Sequence, residues 1–354
     1  MAYTTINDPS EYFTITLYTG NGNDNRAITN SANAGDFQPD WLWYKERDGT
    51  SEHRVFDSSR GASKRLEPNN ENAEATDTTN HKSFDSNGFT IGNSGSTNEN
   101  GKTYVAWQWK ANGGSTTSFS ESGSNPGGNY QANTTAGFSI ITYTGTGSNG
   151  TVQHGLSSAP ELVIVKQRDD ANHDWQTGSD YLASWAHRLK LNDNVSSSSV
   201  STSFNSTAPT SSVFTVGSND DVNEDGHGYV GYCFHSVKGY SKIGKYTGNG
   251  NANGIFIHTG FKPAWILLKD TESTEQWQIK DTTRFPDNVN YYPIFANLAN
   301  VEGSNINSSV DFLSNGFKIR NNDGSHNSSG NIYFYYAIAE HPTVDSKGVP
   351  ATAR

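Results

Sequence analysis

Among the groups in this 354-residue chain able to do acid-base, metal or nucleophilic chemistry are 36 carboxylates, 10 histidines and one cysteine, Cys233. One spacing recurs. Asp57 and Arg60 stand three apart in FDSSRG, and Asp281 and Arg284 do so in KDTTRF, whereas the stretch between them, DWQTGSDYLASW, lacks the arginine. A carboxylate three residues before an arginine makes a local ion pair, and a pair dropped from one copy reads as a loop brace rather than catalytic apparatus. Glycoside hydrolysis needs two carboxylates facing across a cleft, and so many acidic residues single out no pair. The closest histidines, His227 and His235, lack the paired spacing of a zinc site. NDDVNEDGHG (219–228) has the look of a calcium loop but not the glycine at position six and glutamate at position twelve of an EF-hand. There is no Gly-x-Ser-x-Gly elbow. GTGSNG (145–150) and GNGNANG (248–254) neither end in Gly-Lys-Ser/Thr nor open a helix, so they read as turns. Cys233, in the alternating run YVGYCFHS, reads as a small buried hydrophobe. The sequence thus assigns no catalytic, cofactor-binding or metal-ligating residue, and points away from an enzyme.

The tryptophans are the other functional candidates. Trp41, Trp43, Trp107, Trp109, Trp175, Trp185, Trp265 and Trp277 would stack on sugar rings if exposed, but most fall at alternating positions of β-rich segments, which favours core or interface. Trp41 and Trp43 share one side of their strand, as do Trp107 and Trp109. At 12% aromatic residues the chain is too rich in rings for disorder despite only 32% hydrophobic residues. Abundant Gly, Ser, Thr and Asn favour strands and turns. A net charge of -11 without a basic cluster argues against nucleic acid. No stretch is long and apolar enough to cross a bilayer as a helix, and MAYTTINDPSEYF has no secretion-signal pattern. Synthesis in a cytosol is expected, with any later exposure to the outside requiring lysis or a non-classical route. One cysteine leaves stability to packing.

The elements that hold these residues recur three times. A strand ending in Tyr-Thr-Gly appears as FTITLYTGNGN (13–23), FSIITYTGTGS (138–148) and SKIGKYTGNGN (241–251). A proline-led strand with a basic end follows as PDWLWYK (39–45), PELVIVK (160–166) and PAWILLK (263–269), its apolar run suggesting a central strand. A turn and strand follow as FDSNGFTIG (84–92), PTSSVFTVG (209–217) and DFLSNGFKIR (311–320), with Asn-Gly as the hairpin signal in the first and third. An Asn-x-x-Gly turn then enters a closing aromatic strand: NENGKTYVAWQWKAN (98–112), NEDGHGYVGYCFHSV (223–237) and NSSGNIYFYYAIAEHP (327–342). Tyr18 precedes Tyr104 by 86 residues, Tyr143 precedes Tyr229 by 86, and Tyr246 precedes Tyr333 by 87. Ordered landmarks at constant spacing mark a tandem repeat.

The chain therefore reads as all-β: three tandem antiparallel β-sandwich modules of jelly-roll or concanavalin-like type, at 1–112, 137–239 and 240–342. An immunoglobulin-type sandwich is less favoured without a Cys…Trp…Cys framework. Residues 113–136, rich in Gly and Ser, read as a flexible linker on which module one swings, while modules two and three dock rigidly. Residues 343–354 read as a polar, loosely ordered C-terminal tail.

The phrases MAYTTINDPSEYF, QPDWLWYK, VFDSSRG, NENGKTYVAWQWKANGG, YSKIGKYTGNGNANGIFIHTGFKPAWILLK and VPATAR together resemble virion structural proteins of tailed phages that infect marine bacteria. The resemblance spans the chain. It implies a non-enzymatic virion component, a tail fibre or tail appendage in host attachment. The expected partners are other virion proteins, copies of itself as a homo-oligomer, and a host surface glycan or protein. Neither nucleic acid nor membrane insertion is expected. The sequence lacks the heptads or short shaft repeats of an extended fibre, so a compact appendage, a baseplate-proximal subunit or a capsid decoration protein fits the modules as well; a glycan-binding or glycan-cleaving protein is the second alternative.

Overall fold

The computed structural model describes residues 4–30, 36–344 and 347. Its sheets are antiparallel and its helices are single turns of three or four residues, so the chain is all-β. Four strands recur in each third. The opening strands are Phe13–Thr19, Phe138–Thr144 and Ser241–Thr247. The closing strands are Thr103–Trp109, Gly228–Phe234 and Ile332–Pro342. The proline-led strands are Trp41–Glu46, Leu162–Gln167 and Phe261–Asp270, and the outer strands are Arg54–Asp57, Gln176–Ser179 and Gln278–Asp281. In all three sheets the order is opening, closing, proline-led, outer. The constant spacing of the tyrosines now has a cause. Tyr18 lies opposite Tyr104, Tyr143 opposite Tyr229 and Tyr246 opposite Tyr333, so the interval measures the chain between two strands that pair.

The proline-led strand is central in each sheet. Pro39 and Pro160 stand just before their strands, as a missing N–H requires, but Pro263 lies inside Phe261–Asp270 at a register shift that removes the need for its N–H.

Each large sheet carries a small sheet on one face. The small sheets comprise Arg26–Thr29, Gly88–Ile91 and His81–Asp85 in copy one, and Phe256–His258, Gly316–Ile319 and Val310–Leu313 in copy three. Copy two has only Gly150–Gln153 and Val213–Val216. The missing strand coincides with the missing Asn-Gly. In copies one and three the glycine sits where a Cβ would lie 2.1 Å from the Ile28 oxygen or 2.0 Å from that of Ile257, and copy two has Ser-Ser-Val instead and forms no hairpin there.

Strand alternation then sends two sets of side chains to opposite faces. Leu42, Tyr44, Phe56 and Ala106 face the first small sheet, with counterparts Ile141, Val163, Val165 and Cys233 in copy two and Ile266, Leu268 and Tyr335 in copy three. The other faces of all three large sheets meet in one core that includes Trp41, Trp107, Trp109, Phe234, Tyr232, Trp265 and Tyr336. Trp41 stacks on Tyr232 at 4.6 Å, Phe234 meets Tyr336 at 5.1 Å, and Trp109 meets Trp265 edge-on at 5.6 Å. Copy one thus touches two, two touches three, and three touches one. Aromatic pairs of this kind contribute about 0.5–1.5 kcal/mol each beyond their burial.

Two expectations of the sequence are corrected. The stretch 113–136 is not a bare tether: it carries strands Thr117–Phe119 and Gly128–Asn133, which pair with each other and extend the sheet of copy two past its opening strand. Copy one does not swing from it, because its large sheet forms part of the common core. Most of the C-terminal tail expected at 343–354 lies outside the described residues.

Candidate functional site

The repeated polar residues come together at the turns. Asn98, Asn223 and Asn327 are fully buried. The Asn223 side chain accepts from Thr146 N and donates to the Ser148 and Gly217 oxygens, and Asn98 makes the same three bonds to Asn21, Asn23 and Gly92. Beside them the stacked pairs Tyr18/Tyr104, Tyr143/Tyr229 and Tyr246/Tyr333 have centroids 5.0–5.2 Å apart. The second tyrosine of each pair donates to a turn carbonyl, as Tyr229 does to Asp220 O, and accepts from the next backbone N–H, that of Glu224. The glycine of Tyr-Thr-Gly is compulsory: a Cβ on Gly20, Gly145 or Gly248 would lie 2.0–2.1 Å from the oxygen of Glu99, Glu224 or Ser328. These motifs clamp the opening strand to the closing strand.

The recurring Asp/Arg pairs sit at the junctions. Asp57 accepts from Arg60 at 2.6 Å and, across the core, from the Tyr232 hydroxyl at 2.7 Å. Arg60 also binds Glu74, which in turn holds Arg168 of copy two. The second set repeats this between copies three and one: Asp281 accepts from Arg284 and from Trp107 Nε1, and Arg284 reaches Glu302, which holds Arg47. Both carboxylates and both guanidiniums are buried. Burial opposes the Arg60 charge, but Asp57, Tyr232 and Glu74 outweigh it and raise its pKa.

Backbone bonds run the same way round. Glu74 N donates to Arg168 O, Ser197 N to Thr271 O, and Glu302 N to Arg47 O. A ring N–H does likewise in the opposite sense: Trp175 Nε1 to Glu67 O, Trp277 Nε1 to Lys190 O, and His53 Nε2 to the oxygens of Phe295 and Leu298. His53 Nδ1 accepts from Trp43 Nε1, which sets the tautomer, and burial lowers the His53 pKa to about 3. Equivalent groups bonded in one rotational sense are the signature of a closed head-to-tail ring.

Lys45, Lys166 and Lys269, the basic ends of the proline-led strands, escaped notice as site residues because a terminal lysine reads as solvated. They are buried and bonded to carbonyls; Lys166 reaches Glu71 O of copy one and Lys269 reaches Asn194 O of copy two. Burial lowers each to about 8.

Other candidates disperse. All eight tryptophans are buried, so none forms an exposed sugar platform. Cys233 is buried, and burial pushes its thiol well up. His235 does not join His227. His227 instead gathers Asp170 and Glu224, with ligand atoms within 4.8 Å of one another, as a partly exposed cluster. A cleft of about 630 Å³ opens between copies three and one, with Asp8 and Glu340 in its lining. Both carboxylates are engaged: Asp8 caps the turn at Ser10, and Glu340 pairs with Lys262 at 2.8 Å.

No curated protein matches this sequence. A family model described as a domain of unknown function, DUF7483, matches residues 8–342, from the turn ahead of the first opening strand to the end of the last closing strand, and the chain belongs to that family.

Proposed function

We propose that this chain is a non-enzymatic virion structural protein of a tailed bacteriophage, a tail fibre or tail appendage that contributes to host attachment. The observation that carries this reading is that the groups best suited to chemistry are committed to holding three copies together: the Asp/Arg sets, His53, the buried lysines and the tryptophans. What remains for function is a rigid body displaying polar loops. The sequence resemblance to marine phage virion proteins supplies the setting. A particle component must hold its shape outside a cell, and here packing and buried ion networks do so with one cysteine.

Cryo-electron microscopy of the intact particle, with the chain traced into density, tests this. Density at the tail is expected. Density on the capsid lattice would make it a decoration protein, and absence from purified particles would overturn the virion reading.

A further inference from the structure

The turn that receives a ring N–H recurs in every copy. Asn70 N bonds back to Glu67 O, Asp193 N to Lys190 O and Leu298 N to Phe295 O, and those same three oxygens accept from Trp175, Trp277 and His53. Asn70-Glu71-Asn72 of copy one therefore corresponds to Asp193-Asn194-Val195 of copy two and Leu298-Ala299-Asn300 of copy three. The triplet of copy one is wholly polar, whereas each of the others includes an apolar residue.

At the junction of copies one and two that polar triplet, together with Asn172, Asn192 and Asp193 of copy two, lines a pocket of about 350 Å³. The volume lies at the small end of the ~300–1,000 Å³ of ligand sites. All six lining residues carry an amide or a carboxylate, and the fold fixes their frame. Asn70 and Asn72 both donate to Glu67 Oε2, Asn192 accepts from Trp175 N and donates to Asp174 Oδ1, and Asn172, at φ 69°, donates its N–H to Glu71 O at 3.0 Å. Part of the set is left unspent. Among the described residues nothing bonds to the side chains of Glu71 and Asn172, and neither Glu71 nor Asp193 is in an ion pair. Glu71, Asn72 and Asn172 are exposed, so the pocket is reached from solvent.

We propose that this pocket binds a neutral sugar ring. Each sugar hydroxyl both donates and accepts, and the lining answers both: the Glu71 and Asp193 carboxylates and Asn72 Oδ1 accept, while the Asn172 amide also donates. An anion would meet two carboxylates. A bare cation has no acceptor for the amide N–H groups. A lining without an apolar wall gives an aromatic or aliphatic ligand nothing to rest on, and would strip water from polar groups it cannot bond. The inference goes beyond the virion reading and is tested on the isolated chain, so the two can fail separately.

The test is saturation-transfer difference NMR on the full chain in EDTA, with the methyl glycosides of glucose, galactose, mannose and N-acetylglucosamine as probes. Transfer to at least one glycoside is expected, with a dissociation constant of roughly millimolar, as a few hydrogen bonds made in competition with water would give. Glu71→Ala and Asn172→Gly are each expected to weaken binding about tenfold or more. Neither side chain holds the fold, and glycine keeps the left-handed backbone at position 172, so melting curves of both variants should match the parent. Absence of transfer to all four glycosides, or transfer indifferent to both substitutions, would overturn the proposal. So would a rise in melting temperature with calcium chloride that disappears in Glu71→Ala while no glycoside binds, which would assign the pocket to a cation.

Discussion

Lys280 takes the place in copy three that Phe56 fills in copy one: Phe56 pairs with Leu42 as Lys280 pairs with Ile266. It is fully buried, its Nζ has no hydrogen-bond partner, and burial, helped by Arg284, drives its pKa well down. A buried amine without an acceptor costs about 1–3 kcal/mol relative to a bonded one. Lys280→Met is therefore expected to raise stability by roughly that amount, read from the urea midpoint; a lower midpoint would mean the amine is bonded after all. Such residues were not legible beforehand. A lysine at an alternating position reads as exposed, and only the partner strand reveals that the position faces the small sheet. Cys233 and the tryptophans were legible for the same reason reversed, since their alternation and apolar surroundings named the buried face.

At the scale of elements, the ion set is lost as a unit. At the junction of copies two and three, Ser179 and Leu182 stand where Asp57 and Arg60 stand, and Ser197 and Thr271 make the backbone bond that Glu74 and Arg168 make elsewhere. Removing one partner from a buried network strands the others, whereas replacing all of them with packed neutral residues is often close to neutral. Arg60→Leu alone is expected to cost about 3–5 kcal/mol. Adding Asp57→Ser, Glu74→Ser and Arg168→Thr is expected to recover most of it, and a quadruple variant less stable than Arg60→Leu in urea unfolding would refute this account. The sequence showed the pair missing from copy two but not what it held, because its partners lie in another copy. The misreading of 113–136 has a similar origin. Glycine marks close approach as readily as freedom: a Cβ on Gly128 would lie 2.0 Å from the Thr142 oxygen, so that glycine is there to let two strands meet.

For the molecule as a whole, the repeat and the all-β class were legible from periodicity and spacing, while the closure of the copies into a ring was not, because it depends on contacts between residues far apart in the chain. A shared core implies one cooperative unfolding transition. Acid should undermine it sharply. Burial lowers His53, His81 and His326 to about 3, below the unfolded value of 6.5. Between those limits the unfolded chain binds protons that the folded chain refuses, so stability falls as pH drops from 6.5 toward 3, by about 1.4 kcal/mol per unit for each histidine. A single calorimetric peak whose Tm falls steeply between pH 6.5 and 4 is expected; separate peaks for the copies, or a flat acid limb, would contradict the shared core or the buried neutral histidines. The head-to-tail closure also changes how the fold answers to dilution. Three free subunits in this arrangement would separate as they became scarce, whereas copies joined in one chain meet at an effective concentration of roughly millimolar, set by the chain itself. Its integrity is thus a unimolecular property, unchanged whether the protein is crowded in a lysate or alone in open water.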